Sequence, residues 1–134
     1  MEFDNNIPIY VQVIDDIKRN IVKGVLTLGE KLPSGRELAY TYKINPNTAN
    51  RIYKELEALE ICYTKRGLGT YITEDINKLR SLKEEMAGNL LEQFIAGMKD
   101  LGYSKEELIK MLESKYEELE NDKGDRIWYY KAII

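Results

Sequence analysis

Histidine is absent from all 134 residues. With it go the usual general base, the commonest metal ligand and the side chain that ordinarily titrates near neutral pH. Cysteine occurs once, as Cys62, so no disulfide can close within the chain. Zinc-ligand spacings, nucleophile motifs and glycine-rich phosphate loops are also missing. Neither an enzyme nor a resident metal or cofactor is expected. No run approaches the ~20 apolar residues that span a bilayer, and no signal-peptide pattern precedes Pro8. The expectation is a cytoplasmic protein with no membrane partner.

What is present is a soluble, charged composition: 43% hydrophobic and 32% charged residues, with a net charge of -3. One substantial domain, or a small domain with an appendage, fits 134 residues. The charge is unevenly spread. Lys31 to Thr73 holds seven Lys/Arg against four Asp/Glu, a net +3, which leaves -6 for the rest. Local potential at a contact face governs nucleic-acid binding more than total charge does. A modest positive patch on an acidic chain implies limited affinity per monomer and a need for two-site binding.

The stretch Pro33 to Thr73 organises the chain. Ser34 followed by Glu37 is a capping box, which predicts a helix from about Gly35 with Leu38, Ala39 and Tyr42 on its apolar side. Only Lys43 and Ile44 precede the next start signal, Asn45 as N-cap with Pro46 in the first turn. At 100° per residue, Ala49, Ile52, Tyr53, Leu56 and Leu59 share one side of this second helix. Asn47, Asn50, Arg51, Lys54 and Ala58 share the other, with Thr48 on the flank. That polar face fits an ordinary solvated surface as well as it fits DNA, although Asn and Arg suit bidentate contacts to adenine and guanine.

Ile61–Arg66 and Leu68–Thr73 are β-prone runs about a turn. Gly67 and Gly69 permit positive φ and close approach of a phosphate backbone, and Lys65 and Arg66 add cations there. A basic, glycine-bearing hairpin tip is commonly just a solvated turn. After this helix pair it completes the order of a winged helix-turn-helix.

The run PIYVQ…GVLTLGEKLPSGRELA…NPNTANRIYKELE…KRGLGTYI resembles the DNA-binding domain of the GntR family of bacterial transcription regulators over roughly Ile7 to Thr73. The NPNT form and the overall length resemble its short YtrA-type subfamily. The resemblance implies a homodimeric repressor on a palindromic double-stranded DNA operator. It places Arg36 at the family's DNA-contacting arginine, Asn47, Thr48 and Asn50 at recognition-helix contacts, and Gly67 at a wing contact. Asn45, Arg51, Lys54, Lys65, Arg66 and Gly69 complete the candidate DNA-binding set. Many members carry arginine where this chain has Pro46 and Asn50, so their base preferences do not transfer. Regulated genes of the family include membrane transporters, which no residue here shows.

Around that stretch, the sequence predicts a support helix from Pro8 with Tyr10, Val13, Ile14, Ile17, Ile21 and Val25 at helical spacing and Gly24 near its end. Gly29-Glu30-Lys31-Leu32-Pro33 is a connection that has room for one short strand pairing with the wing. Beyond Thr73, Glu74-Asp75 opens a long helix to about Leu101, striped by Leu79, Leu82, Met86, Leu90, Phe94, Met98 and Leu101 and widened by Leu91 and Ile95. Gly102 ends it, and Ser104 with Glu107 opens another helix through about Leu119, with Leu108, Ile109, Met111, Leu112, Tyr116 and Leu119 inward.

The expected fold class is thus mainly α with a small β-hairpin: a winged helix-turn-helix in 1–73, then a C-terminal antiparallel helical hairpin for dimerisation in 74–134. Two dispositions of the hairpin are open, folding back on the winged helix or pairing with a second copy. The two half-sites of an operator favour pairing through Leu79, Leu82, Met86, Leu90, Phe94, Met98, Leu112 and Tyr116. Lys123-Gly124-Asp125 breaks the last helix, and Ile127-Trp128-Tyr129-Tyr130 with Ile133-Ile134 either covers that seam or lines a small pocket. No effector domain fits in the remaining length, so any small-molecule effector would bind at the dimer seam or between the modules. A winged helix serving as a protein–protein module is the alternative function.

Overall fold

A computed structural model describes residues 1–121. Five helices and one hairpin follow in the order α1 (Ile9–Val22), α2 (Gly35–Tyr42), α3 (Pro46–Ala58), β1 (Cys62–Lys65), β2 (Gly69–Ile72), α4 (Ile76–Asp100) and α5 (Lys105–Asn121). The fold is mainly α, a winged helix-turn-helix followed by a helical hairpin. Residues 127–134 and the helix break at 123–125 lie outside the described residues.

Local signals set the starts and stops. The Ser34 hydroxyl accepts the Glu37 N–H while the Glu37 carboxylate accepts the Ser34 N–H, each at 3.2 Å. α2 ends at Lys43, which takes the left-handed conformation (φ 55) and turns the chain within two residues. The Asn45 side chain then accepts the Asn47 N–H at 2.8 Å, with Pro46 in the first turn of α3. The Ser104–Glu107 box at the start of α5 repeats the α2 arrangement.

α1, α2 and α3 close around one core. Val13, Ala49, Ile52, Leu56 and Ile72 are fully buried, joined by Ile14, Ile17, Ile21, Leu38 and Tyr53. Polar ties cross it at the edges: Tyr42 donates to Asp16 at 2.7 Å, and Tyr53 donates to the Pro33 carbonyl at 2.5 Å. The hairpin pairs antiparallel, Cys62 with Ile72 and Lys65 with Gly69. Lys31 makes a single bridge to Tyr71, flanked by bonds from Leu32 N–H to the Thr70 carbonyl and from Ile72 N–H to the Glu30 carbonyl. The expected third strand is therefore reduced to one bridge.

Several expectations are corrected. α1 stops at Val22, before Val25, which is 64% exposed; Gly24 (φ 80) has already turned the chain. Leu59 follows the last turn of α3 as its C-cap and is half exposed, outside the core stripe. The larger correction concerns α4. Leu82 is 6% exposed within the winged-helix core, with Leu79 and Met86 packed against it. These three pack on the core of their own chain, Leu82 fully and Leu79 and Met86 in part. An ion pair of Lys78 with Glu60 at 2.5 Å ties the same first turns down.

The chain divides into two compact units, Met1–Ala87 and from Gly88 onward, and the division falls inside α4. In the second unit no described residue is buried, and α5 has no buried position at all. Leu90, Phe94, Ile109, Met111, Leu112 and Tyr116 are exposed, so among the described residues the inward stripe expected for α5 is covered only at Leu108 and Leu119, which are half-buried.

Two measurements check this core. Leu56→Ala is expected to cost about 2–5 kcal/mol by urea denaturation, as a cavity at a fully buried site does, whereas Leu112→Asn, at an exposed site, should cost far less in a monomeric state. Burial, with Glu57 nearby, pushes the Cys62 thiol from 9.0 up to about 12. The unfolded chain then releases a proton that the folded chain keeps. The Cys62 contribution to stability is therefore whole below about pH 9 and is lost as pH rises from there through about 12. Thermal melts across that range should show the decline weakened in Cys62→Ala.

Candidate nucleic-acid interface

The packing of α3 leaves Asn47, Asn50, Arg51 and Lys54 exposed on the side opposite its stripe. They differ in what holds them. Asn47, Asn50 and Lys54 have no side-chain hydrogen bond or ion pair among the described residues. Arg51 is held: its guanidinium carbon lies 3.8 Å from the centre of the Tyr10 ring on α1, and its Nε is 3.5 Å from Glu55. A stacked, paired guanidinium is less available to a base edge than the sequence pattern alone implies. Thr48 is half-buried on the flank, and Asn45 spends its amide oxygen on the α3 cap. Arg36, in the first turn of α2, is exposed and has no partner among the described residues.

Hairpin register decides which cations the wing presents. Alternation puts Tyr63, Lys65 and Tyr71 on the outer face and Cys62, Thr64 and Ile72 toward α3. Tyr63 and Tyr71 stack with centroids 5.8 Å apart, and the Lys65 ammonium sits 4.6 Å from the Tyr71 ring. Arg66 is exposed at the tip, with no partner among the described residues. Gly67 and Gly69 take φ 79 and 126, so both turn residues use the conformations that glycine alone adopts cheaply.

Between α3, the start of α2 and the wing lies a cleft of about 550 Å³, lined among others by Lys31, Gly35, Asn50, Lys54, Leu68 and Gly69. Two acids border it, and both are engaged. Glu37 caps α2, and Glu57 accepts a hydrogen bond from the Thr64 hydroxyl. The unpaired cations around the concavity suit a polyanionic backbone, and the α3 amides suit base edges.

Lys31 escaped the sequence reading. Its side chain runs alongside Gly69, where a Cβ would meet its Cε at 2.9 Å. Its signal was the bridge to Tyr71, which a single residue in a connecting segment does not advertise. Gly35 was read only as a helix start, although it shares the cleft with Asn50.

Residues 9–72 match the family described as bacterial regulatory proteins, gntR family. The chain is 43% identical over 109 residues to the HTH-type transcriptional regulator YhcF of Bacillus subtilis, covering 81% of this chain and 90% of that one. It is 41% identical to the HTH-type transcriptional repressor YtrA of the same organism, over 68% and 75% of the two chains. Among solved structures, a GntR family transcriptional regulator from Listeria monocytogenes superposes with a TM-score of 0.79 at 44% identity, covering 84% of this chain and 98% of that one. A transcriptional regulator from Oenococcus oeni gives 0.74 at 34%, covering 87% and 97%. This chain belongs to the gntR family of bacterial regulatory proteins, with a winged helix that binds DNA.

Proposed function

We propose that the protein is a homodimeric, cytoplasmic transcriptional repressor that occupies a palindromic operator without a cofactor. The observation that carries this is the exposed face of α3, where Asn47, Asn50 and Lys54 stand unpartnered beside the wing cations. Each protomer would lay α3 in a major groove. Arg36, Lys31 and the wing from Lys65 to Gly69 would hold phosphates on either side. Occupancy would exclude polymerase. The division of labour is 1–73 for DNA and 74–134 for pairing, with the first turns of α4 completing the DNA-binding unit.

Pairing is supported by the second unit's lack of any buried described residue. Apolar helices that cover nothing within their own chain are stabilised by a partner. Leu90, Phe94, Met98, Leu112 and Tyr116 form the proposed seam, and a second copy supplies the second reading head that an operator with two half-sites needs. That one relative, YtrA, is named a transcriptional repressor supports repression.

Selection of bound sites from random DNA tests the reading. A two-fold symmetric consensus with half-sites about one helical turn apart, ~10 bp, is expected. Salt separates this from a protein-docking winged helix, since phosphate binding must weaken steeply as salt rises.

Leu90→Asp with Phe94→Asp should give monomers in sedimentation that keep a folded winged helix and lose operator affinity, because unpaired charges in an apolar seam cost several kcal/mol. A dimer from this double variant would show that the seam lies elsewhere. Arg36→Ala should weaken operator and random DNA alike and lower the salt slope by about one. Arg51→Ala should instead lower thermal stability by about 0.5–1 kcal/mol through the lost Tyr10 stacking, with a smaller change in DNA affinity than Arg36→Ala.

A further inference from the structure

We infer that Gly35 is a positioning residue for base reading: its missing side chain leaves the space in which the Asn50 amide is braced, so residue 35 sets what Asn50 presents to DNA. This rests on the reading of α3 as the base-contacting helix.

A glycine in the first turn of a helix loses chain entropy that alanine would not, and needs a reason. Backbone strain is not the reason at this position. Gly24, Gly29, Gly67, Gly69 and Gly102 have φ between 78 and 126, whereas Gly35 is an ordinary helical residue. Crowding by fixed structure is not the reason either. A Cβ built on Gly35 would meet one side chain only, with the Asn50 Oδ1 at 2.6 Å and its Cγ at 3.7 Å. Gly88 and Gly97, also without positive φ, have nothing within 4 Å. Among the described glycines, Gly35 alone pairs an ordinary backbone with an occupied Cβ site.

Asn50 makes no hydrogen bond to any described residue and is exposed on the helix face. An unbraced asparagine there would sample its staggered wells freely. The first turn of α2 limits that freedom on the side of the amide oxygen, which lies where a Gly35 side chain would stand, and the same side chain lines the cleft with Lys54, Leu68 and Gly69. Because the neighbour is the end of a flexible side chain, an added methyl moves Asn50 and not the backbone. The helix-turn-helix crossing thus couples two positions fifteen residues apart, only one of which needs to touch a base.

The test compares wild type, Gly35→Ala, Asn50→Ala and the double variant. In the free protein, the Asn50 side-chain amide resonances, identified by their loss in Asn50→Ala, should shift in Gly35→Ala. Thermal stability of Gly35→Ala should equal or exceed wild type, which a purely structural role for the glycine would not allow. In site selection, Gly35→Ala should lose about tenfold discrimination at one base pair per half-site. That base pair should be the one affected by Asn50→Ala, and Gly35→Ala should change nothing further once Asn50 is gone. Unmoved amide resonances overturn the contact whatever the DNA shows. Shifted resonances with an unchanged consensus, or equal Gly35→Ala effects with and without Asn50, overturn the positioning role. A wild type that selects no consensus overturns the base-reading assignment itself, and with it this inference, while the resonance shift still reports on the contact.

Discussion

Ile52 and Leu56 have no solvent exposure between α1, α2 and the hairpin, and their burial fixes the rotation of α3 about its own axis. A helix turned by one residue would drive Arg51 or Asn50 into the apolar interior, at a cost of several kcal/mol for an unpaired charge. The outward set is therefore a consequence of the inward one. Within it, neighbouring elements assign different duties. Tyr10 on α1 takes Arg51, the first turn of α2 lies beside Asn50, and Asn47 and Lys54 have no side-chain partner among the described residues. The left-handed Lys43 and the N-cap at Asn45 hold α2 and α3 at the crossing that makes those contacts possible.

Electrostatics follow the same logic at longer range. The protein is acidic overall, yet the acids that border the α3 cleft are occupied by a helix cap and by the Thr64 hydroxyl. Lys31, Lys54 and Arg66 are not occupied in this way. Cations without partners lose less on meeting phosphate, because no existing pair must be broken. With so few of them per protomer, the proposed function has two reading heads share one site, because a few phosphate contacts alone bind weakly and give way to salt. In the proposed dimer, a second copy would cover the apolar surface that the helices of the second unit leave exposed among the described residues.

Much of this was legible in the residues, and the limits are physical. Caps are local events, so Ser34/Glu37, Asn45-Pro46 and Ser104/Glu107 fixed three helix starts without reference to any neighbour. The α3 stripe was legible because one helix buries one face. α4 was harder, since a single 3.6-residue stripe from Leu79 to Met98 gives no sign that its partner changes midway. Leu82 belongs to the winged-helix core, while Leu90 and Phe94 are exposed. Arg51 looked like Asn50 in the pattern because periodicity assigns a face and says nothing about the ring waiting beside it. Lys31 and Gly35 act through tertiary contacts with Gly69 and Asn50, and no local signal carries those.

The central claim is that two copies present α3 to one DNA site in two successive major grooves. Dimethyl sulfate footprinting on a selected operator addresses it directly, because guanine N7 is exposed to reagent only in the major groove. The account predicts two patches of protected or altered guanines, symmetric about a dyad and about one helical turn, ~10 bp, apart. A single patch, or bound DNA whose guanine N7 atoms react as in free DNA, would contradict it.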